Sequence, residues 1–140
     1  MAALSARYLQ DLANRRAAEA TALLQLGHFS GAYYLAGYAL ECGLKALIAS
    51  RFQAGVIPDK KLVQQIHTHK LNELLKLAGI EGERKELADR EPVFDANWRI
   101  ALDWSEDSRY EIHDEKTAKD LIKATCDSDN GVFQWVRSKW

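Results

Sequence analysis

Apolar residues recur along most of the chain at intervals of three and four positions, which is the spacing of an amphipathic helix. Residues 31–50 go further, because apolar or small side chains would surround such a helix on almost every side. Only Glu41 and Lys45 are charged there, and their i, i+4 spacing places them on one face. Gly37 and Gly43 each cost about 1 kcal/mol in a helix interior, so they predict the close approach of another backbone. The pattern predicts a buried central helix.

Tyr34 and Tyr38 continue the charged line of the central helix toward its amino-terminal end. The line has two interpretations. It is either a structural seam, in which Glu41 and Lys45 pair within the helix and find further partners on the first and last helices, or the wall of a nucleotide-sized cleft in which the tyrosines stack. The stretch is long enough to cross a bilayer, but its two charges are costly in lipid, so we expect no membrane insertion.

A second long helix precedes the central one. Apolar residues recur at helical intervals over residues 4–26. Gly27 follows them, and glycine is the residue type that most often ends a helix. Ser30 has the side chain of an N-cap, so we expect it to cap the central helix. Because the connection is so short, the two helices are expected to be antiparallel neighbours.

The middle of the chain predicts shorter helices between breakers. Gly55 and Pro58 mark a loop after the central helix. Thr68 and Gly79 are suited to cap and to stop a helix that begins at Lys70. Further helical segments are expected at residues 61–66 and 83–89.

Pro92 is suited to the first position of the next helix, because its missing N–H would be unpaired there anyway. After an irregular polar connection over residues 105–114, residues 118–140 resume helical spacing. We expect one long final helix with a polar or kinked middle, the alternative being a break at Asn130-Gly131. The apolar positions expected on the helix after Pro92 are Val93, Phe94, Ile100 and Leu102.

Length and charge set limits on function. The 140 residues suffice for one domain, spanning residues 1–140, with a core of its own. With 19 basic and 20 acidic residues, the chain has no global field to attract nucleic acid, so such binding would need a local or dimeric patch. Cys42 and Cys126 lie in apolar helical patterns, which suits core residues in a reducing compartment. No export signal is visible at the amino terminus, so we expect a cytoplasmic protein.

Several motifs together resemble the HEPN domain family. The most specific is the Glu-x-x-x-Lys-Ala-Leu core of the central helix, which begins at Glu41 and includes Lys45. A His-x-Leu…Leu-Leu segment and a Trp…Arg-Tyr segment follow it, formed by His69, Leu71, Leu74, Leu75, Trp104, Arg109 and Tyr110. The resemblance implies an all-α, up-and-down bundle of about five helices that is commonly a homodimer.

The same resemblance implies the candidate chemistry. HEPN domains are found in ribonuclease toxins, in partners of small nucleotidyltransferases, and in modules thought to bind nucleotides or RNA. By this resemblance Arg109 would stabilise charge on a phosphate and His113 would move a proton, with no metal and no cofactor. The candidate ligand-binding residues are Glu41, Lys45, Tyr38 and Tyr110.

The catalytic pattern is atypical in this chain. Tyr110 follows Arg109 where active members have Asn, Asp or His, and only three residues separate Arg109 from His113. We therefore expect RNA or nucleotide binding with weak or lost ribonuclease activity; the alternative is a dimerising interaction module that acts with a protein partner such as a small nucleotidyltransferase. A purely structural interpretation pairs Arg109 with Glu41 in the interior and has His113 cap or flank the last helix, near Asp114.

Histidine and tryptophan residues allow two further expectations. His67 and His69 have a spacing that can chelate metal, but no cluster of other ligands stands beside them, so we expect no metal site. His69 is instead expected to orient the start of its helix. Trp98 and Trp104 are expected in the core, whereas Trp140 at the chain end would suit a dimer contact.

Overall fold

A computed structural model describes residues 3–140, and the regular structure in them is entirely helical. Five of the helices have ten or more residues, in agreement with the predicted all-α bundle. A 3-10 turn at Glu106–Tyr110 lies between α6 and α7. The helices are α1 (Ala6–Gln25), α2 (Phe29–Ser50), α3 (Lys60–Gln65), α4 (Leu71–Leu77), α5 (Glu81–Arg90), α6 (Pro92–Leu102), α7 (Glu115–Cys126) and α8 (Val132–Arg137).

The α1–α2 hairpin forms for local reasons, of which the stop at Gly27 was predicted from the sequence and the cap at Ser5 was not. Ser5 caps α1, since its hydroxyl accepts the backbone N–H of Tyr8 at 3.1 Å. Gly27 adopts a φ of 81°, the left-handed conformation that ends a helix and that glycine adopts without strain. The two long helices pack along their length as antiparallel neighbours, as predicted.

Ser30 does not cap α2, contrary to the prediction. The helix begins earlier, at Phe29, and His28 occupies the N-cap position without a side-chain hydrogen bond. Ser30 therefore lies in the first turn, where its hydroxyl accepts the backbone N–H of His113 at 2.9 Å. This bond ties the segment before α7 to the start of the central helix.

The core forms around α2, which packs against α1, α4, α7, α8 and the 3-10 turn. Thirteen of its residues are buried, including Leu40, Leu44 and Leu47, so the predicted buried central helix is confirmed. No helix within residues 3–140 combines the length and the apolar character that a membrane span requires.

Side chains, not a neighbouring backbone, fill the space beside the two central glycines. A Cβ at Gly37 would collide with the indole of Trp104, and one at Gly43 would lie 3.3 Å from Val136 Cγ1. The expected backbone contact is therefore wrong at both positions. Trp98 and Trp104 are buried in the core, as predicted.

Helix α6 confirms its predicted start but not its predicted apolar face. Pro92 is the first residue of the helix, whereas Val93 and Leu102 are exposed. The buried face instead follows the helical period through Phe94, Asn97, Trp98 and Ala101. Asn97 belongs to that face because its side-chain amide donates to the Asn130 carbonyl at 2.9 Å, which satisfies its buried polar group.

The predicted long final helix is divided into α7 and α8, so the break at Asn130-Gly131 is the correct alternative. Gly131 is required there because a Cβ would collide with the backbone of Asp127 and Thr125. Cys126, expected in the core, is exposed at the end of α7.

Trp140, expected to be exposed for a dimer contact, is instead half-buried. Its indole N–H donates to the Gly43 carbonyl at 3.1 Å, and its ring lies edge-on to Phe133. The chain end therefore packs on the core, because the absent side chain of Gly43 leaves that carbonyl accessible.

Candidate functional site

The segment from Trp104 to His113 carries the residues that the family resemblance singled out. The first part of the segment is anchored in the core, since Trp104 and Ser108 are buried. The Ser108 hydroxyl also donates to the Ser105 carbonyl at 2.6 Å. The far end of the segment is held by the hydrogen bond from the His113 backbone to Ser30. The turn between these two anchors is therefore positioned by α2.

Arg109 lies exposed at the surface and not against Glu41, so the predicted interior pair of these two residues is wrong. Its guanidinium carbon lies 5.0 Å from the centroid of the Tyr110 ring. The pKa of the guanidinium is raised above its ordinary value, chiefly by the phenol of Tyr110 and less by that of Tyr34. Arg109 is therefore a permanent cation that interacts with two aromatic residues, Tyr110 and Tyr34.

His113 occupies a different environment from Arg109. Its side chain is only 15% exposed, and its ring stacks on Tyr33 with the centroids 3.9 Å apart. Nε2 is buried without a hydrogen-bond partner, and a carboxylate oxygen of Glu111 lies 3.8 Å from it. His113 flanks α7, but the cap of that helix is the adjacent Asp114, whose carboxylate accepts the Thr117 N–H at 2.8 Å.

Arg109 and His113 approach α2 from different directions. Arg109 faces Tyr34, whereas His113 stacks on Tyr33. Consecutive residues of an α-helix point about 100° apart around its axis. Within one chain, the two candidate catalytic side chains therefore have separate surroundings and do not form a common hydrogen-bonded site.

Two apolar side chains stand out from the same turn into solvent. Tyr110 is 79% exposed and Ile112 is 95% exposed. Five acidic residues flank them along the chain, namely Glu106, Asp107, Glu111, Asp114 and Glu115. We refer to residues 106–115 as the acidic surface, since Arg109 is the single Lys or Arg within it.

A second polar cluster lies in the middle of α2. Glu41 has a side chain only 4% exposed, and one of its carboxylate oxygens accepts the Lys45 ammonium at 3.2 Å. Both oxygens also lie 3.0 Å from Nδ1 of His69, in the segment before α4. Because a carboxylate only accepts, Nδ1 must carry the proton of this bond. Glu41 is therefore partnered by Lys45 and His69, and not by groups on the first and last helices.

Tyr38 lies one turn above this cluster and belongs to an aromatic row. Its ring is stacked 5.9 Å from that of Tyr34, which is stacked in turn 6.2 Å from Trp104. Burial, with a smaller contribution from the neighbouring Cys42, raises the pKa of Tyr38 to about 12. Burial likewise raises the pKa of the Cys42 thiol to about 11. Both groups are therefore neutral at physiological pH.

Sequence reasoning missed two features of these clusters. His69 was expected to orient its helix, but its contact with Glu41 was not predicted. The only signal in the sequence was the short His-x-Leu motif, which does not say what the histidine contacts. The exposure of Ile112 was also missed, although an isolated apolar residue among acidic ones is a recognisable signal. No group of three or more His, Cys, Asp and Glu side chains in the described part of the chain is placed to hold a metal ion.

Comparison with known proteins adds no relative to this picture. No protein-family model, no curated protein and no solved structure matches the chain. The HEPN resemblance therefore rests on the motifs quoted above.

Proposed function

We propose that the chain is a HEPN-like helical domain that works as an interaction module and binds a protein partner on its acidic surface. The observation that supports this proposal is the exposure of Tyr110 and Ile112, at 79% and 95%, two residues apart on a turn fixed at both ends. Exposed apolar side chains rimmed by charged ones mark protein-binding sites, and a fixed turn loses little entropy on binding.

The charge of this surface favours a protein over a nucleic acid. Five acidic residues flank Arg109 in the sequence between positions 106 and 115, and only Glu115 among them pairs with a lysine, Lys119, at 2.6 Å. The excess of negative charge disfavours a phosphate backbone on the surface of a single chain. A partner with a basic, partly apolar surface would be attracted to it. A second copy of the chain or a small nucleotidyltransferase of suitable charge belongs to this class of partner.

A photo-crosslinking amino acid at position 112, in cells that express the full chain, tests the proposal. We expect a discrete protein adduct, because the side chain at this position points into solvent at the centre of the surface. The same amino acid at position 93 is the matched control, since Val93 is also an exposed apolar residue but lies on α6. Equal and diffuse crosslinking from both positions would contradict the proposal.

A second candidate function is the binding of RNA or a nucleotide. The observation that favours it is the exposed Arg109 guanidinium stacked on the exposed ring of Tyr110, since single-stranded nucleic acids bind to arginines and exposed aromatic rings. A labelled single-stranded oligoribonucleotide should then bind with an affinity that falls as salt rises and that Arg109→Ala weakens while the fold stays intact.

Ribonuclease activity is tested on the same oligoribonucleotide. His113→Ala should abolish any cleavage that the wild type performs, because no other imidazole is placed beside Arg109 in the sequence motif. In the crosslinking experiment, an adduct from position 112 that ribonuclease treatment removes would replace the protein-partner proposal with this one.

A further inference from the structure

A cavity of about 480 Å³ lies where the junction of α5 and α6 faces α8 and the loop before it. This volume falls within the range of small-molecule sites. No residue of the acidic surface lines the cavity, and neither Glu41 nor its partners Lys45 and His69 do so. The cavity is therefore separate from both clusters described above.

The floor of the cavity is apolar and largely aromatic. Phe94 is only 1% exposed, and the partly buried Leu87 and Trp135 pack against the core. The rings of Phe94 and Trp135 meet edge to face, with their centroids 5.4 Å apart. Such a floor binds the apolar part of a ligand, and the faces of aromatic rings also attract cations.

Two carboxylates provide the charge of the cavity. Among residues 3–140, Glu91 and Asp129 are the only lining residues with an ionisable side chain. Neither of them forms a salt bridge within that part of the chain. Glu91 occupies the N-cap position of α6, but its side chain makes no capping hydrogen bond. Both charges are therefore available to a ligand, and their sign selects a cation.

The basic residues close to these carboxylates in sequence or in space do not line the cavity. Lys139 Nζ lies 5.7 Å from the centroid of the Trp135 ring, which shows that this ring accepts a cation, but it is held by Glu83 at 2.6 Å. Arg84 stacks on Trp98, and Arg90 precedes Glu91 in sequence without reaching the lining. The two carboxylates therefore stay without a counter-charge from the lining itself.

The backbone on both sides of the cavity is fixed. Glu91 lies at the junction of two helices, where its N–H donates to the Leu87 carbonyl at 2.8 Å. The loop that carries Asp129 is tied to α6, since the Asn97 amide donates to the Asn130 carbonyl at 2.9 Å. The two carboxylates therefore project from positions that are set before a ligand arrives, which lowers the entropy cost of binding.

We propose that this cavity binds a small organic dication, namely an aliphatic diamine. One ammonium group pairs with Glu91 and the other with Asp129, and the methylene chain between them lies on the apolar floor. A metal ion would find two carboxylates and no third His, Cys, Asp or Glu ligand among the described residues, and it would leave the aromatic floor unused. The proposal does not depend on the proposed function, since it concerns a different part of the surface.

An NMR titration of the full chain with putrescine, a diamine with a four-carbon chain, tests the proposal. The backbone N–H of Gly131 and the indole N–H of Trp135 should shift and reach saturation with one dissociation constant, because both residues line the cavity. The indole N–H of Trp104 should not shift, since this ring is buried beside Tyr34. Butanediol, which has the same chain and no charge, should give no saturable shift. Butylamine, with one ammonium group, should bind about three- to fivefold more weakly than putrescine, as loss of one exposed ion pair predicts.

Three variants locate the binding site. Glu91→Gln and Asp129→Asn keep the shape of each side chain and remove its charge, so each should weaken putrescine binding about three- to fivefold. The double variant should weaken it roughly tenfold to twentyfold, since the two contacts are independent. Glu86→Gln is the matched control, because Glu86 is exposed on α5 and does not line the cavity. It should bind putrescine like the wild type, and helical circular dichroism should show that all variants fold.

Four results would overturn the proposal. The first is the absence of a saturable shift at Gly131 and Trp135, and the second is butanediol that binds as tightly as putrescine. The third is an equal loss of affinity in Glu86→Gln, which would mean a general attraction to negative charge. The fourth is butylamine that binds as tightly as putrescine, which would replace the diamine by a single cation, such as a lysine side chain of another protein.

Discussion

Substituting Gly37 by alanine tests how the central helix accommodates Trp104. The new methyl group would collide with the Cγ, Cδ1 and Cδ2 atoms of the indole, which belong to the rigid ring and not to a flexible end. Because Trp104 is buried, the ring has no free space to enter. The substitution therefore sets a gain in helix propensity against overpacking.

The opposing contributions can be estimated from these contacts. Alanine is favoured over glycine in a helix interior by about 1 kcal/mol. Overpacking of a core costs about 1–3 kcal/mol. Expulsion of an indole that buries roughly 200 Å² would cost about 5 kcal/mol at about 25 cal/mol per Å². Since the collision involves the ring body, the cost lies between the upper end for overpacking, about 3 kcal/mol, and that of expulsion, about 5 kcal/mol. After the propensity gain of about 1 kcal/mol, we expect the free energy of unfolding to fall by about 2–4 kcal/mol.

Urea unfolding followed by helical circular dichroism measures this loss, and Gly82→Ala is the matched control. No atom outside the helix lies within 4 Å of a Cβ at Gly82, so alanine there should stabilise α5 by up to about 1 kcal/mol. The stability of Gly43→Ala should lie between those of the other two variants, since its added methyl group would lie 3.3 Å from Val136 Cγ1, a tight contact but not a collision. A Gly37→Ala protein as stable as the wild type, or more stable, would show that Trp104 is free to move and would refute the argument.

Three further predictions concern the polar groups. Glu41→Gln should lower the free energy of unfolding in urea by about 2–4 kcal/mol, because the half-buried Lys45 loses its charged partner. His69→Ala should lower it by less in the same titration. Equal losses for the two variants would contradict the Glu41–Lys45 pairing. The pKa of Asp114 is lowered by its bonds to the Thr117 backbone, so its stabilisation is present above its ordinary pKa of 3.8 and disappears as the pH falls through the lowered value. Acid titrations should therefore affect Asp114→Asn, which keeps the cap without titrating, less than the wild type; identical acid transitions would disprove this. Burial raises the pKa of Tyr38 from 10.0 to about 12, so its neutral form stabilises the fold below pH 10 and this contribution is lost between pH 10 and pH 12. Tyr38→Phe should reduce that alkaline loss, and an unchanged alkaline melting profile would count against it.

Local signals in the sequence predicted much of the fold. The apolar circumference of residues 31–50 placed α2 at the centre, and Gly27 and Pro92 marked helix boundaries that depend on backbone geometry alone. The division of the last helix was visible only as an alternative. Helical spacing continued across it, and the collision that requires Gly131 depends on how the chain folds back.

Contacts between distant residues could not be predicted in the same way. Glu41 was expected to need partners because burial of an unpaired carboxylate is costly, and that expectation is confirmed. Which partner it would find was not encoded locally, since His69 is 28 positions away. The hydrogen bond from His113 to Ser30 joins residues 83 positions apart. Ser30 was predicted to cap α2 from its side chain alone, but its hydroxyl binds this distant backbone N–H.

The position of Trp104 also gives the molecule an internal optical reporter. Its indole is buried beside Gly37 and stacked on Tyr34, which faces Arg109 on the acidic surface. A ligand that displaces Arg109 or Tyr110 would alter the surroundings of this ring, whereas Trp98, Trp135 and Trp140 lie in other parts of the bundle. Replacing those three by phenylalanine would leave a chain whose fluorescence reports the occupancy of that one surface, without an attached label.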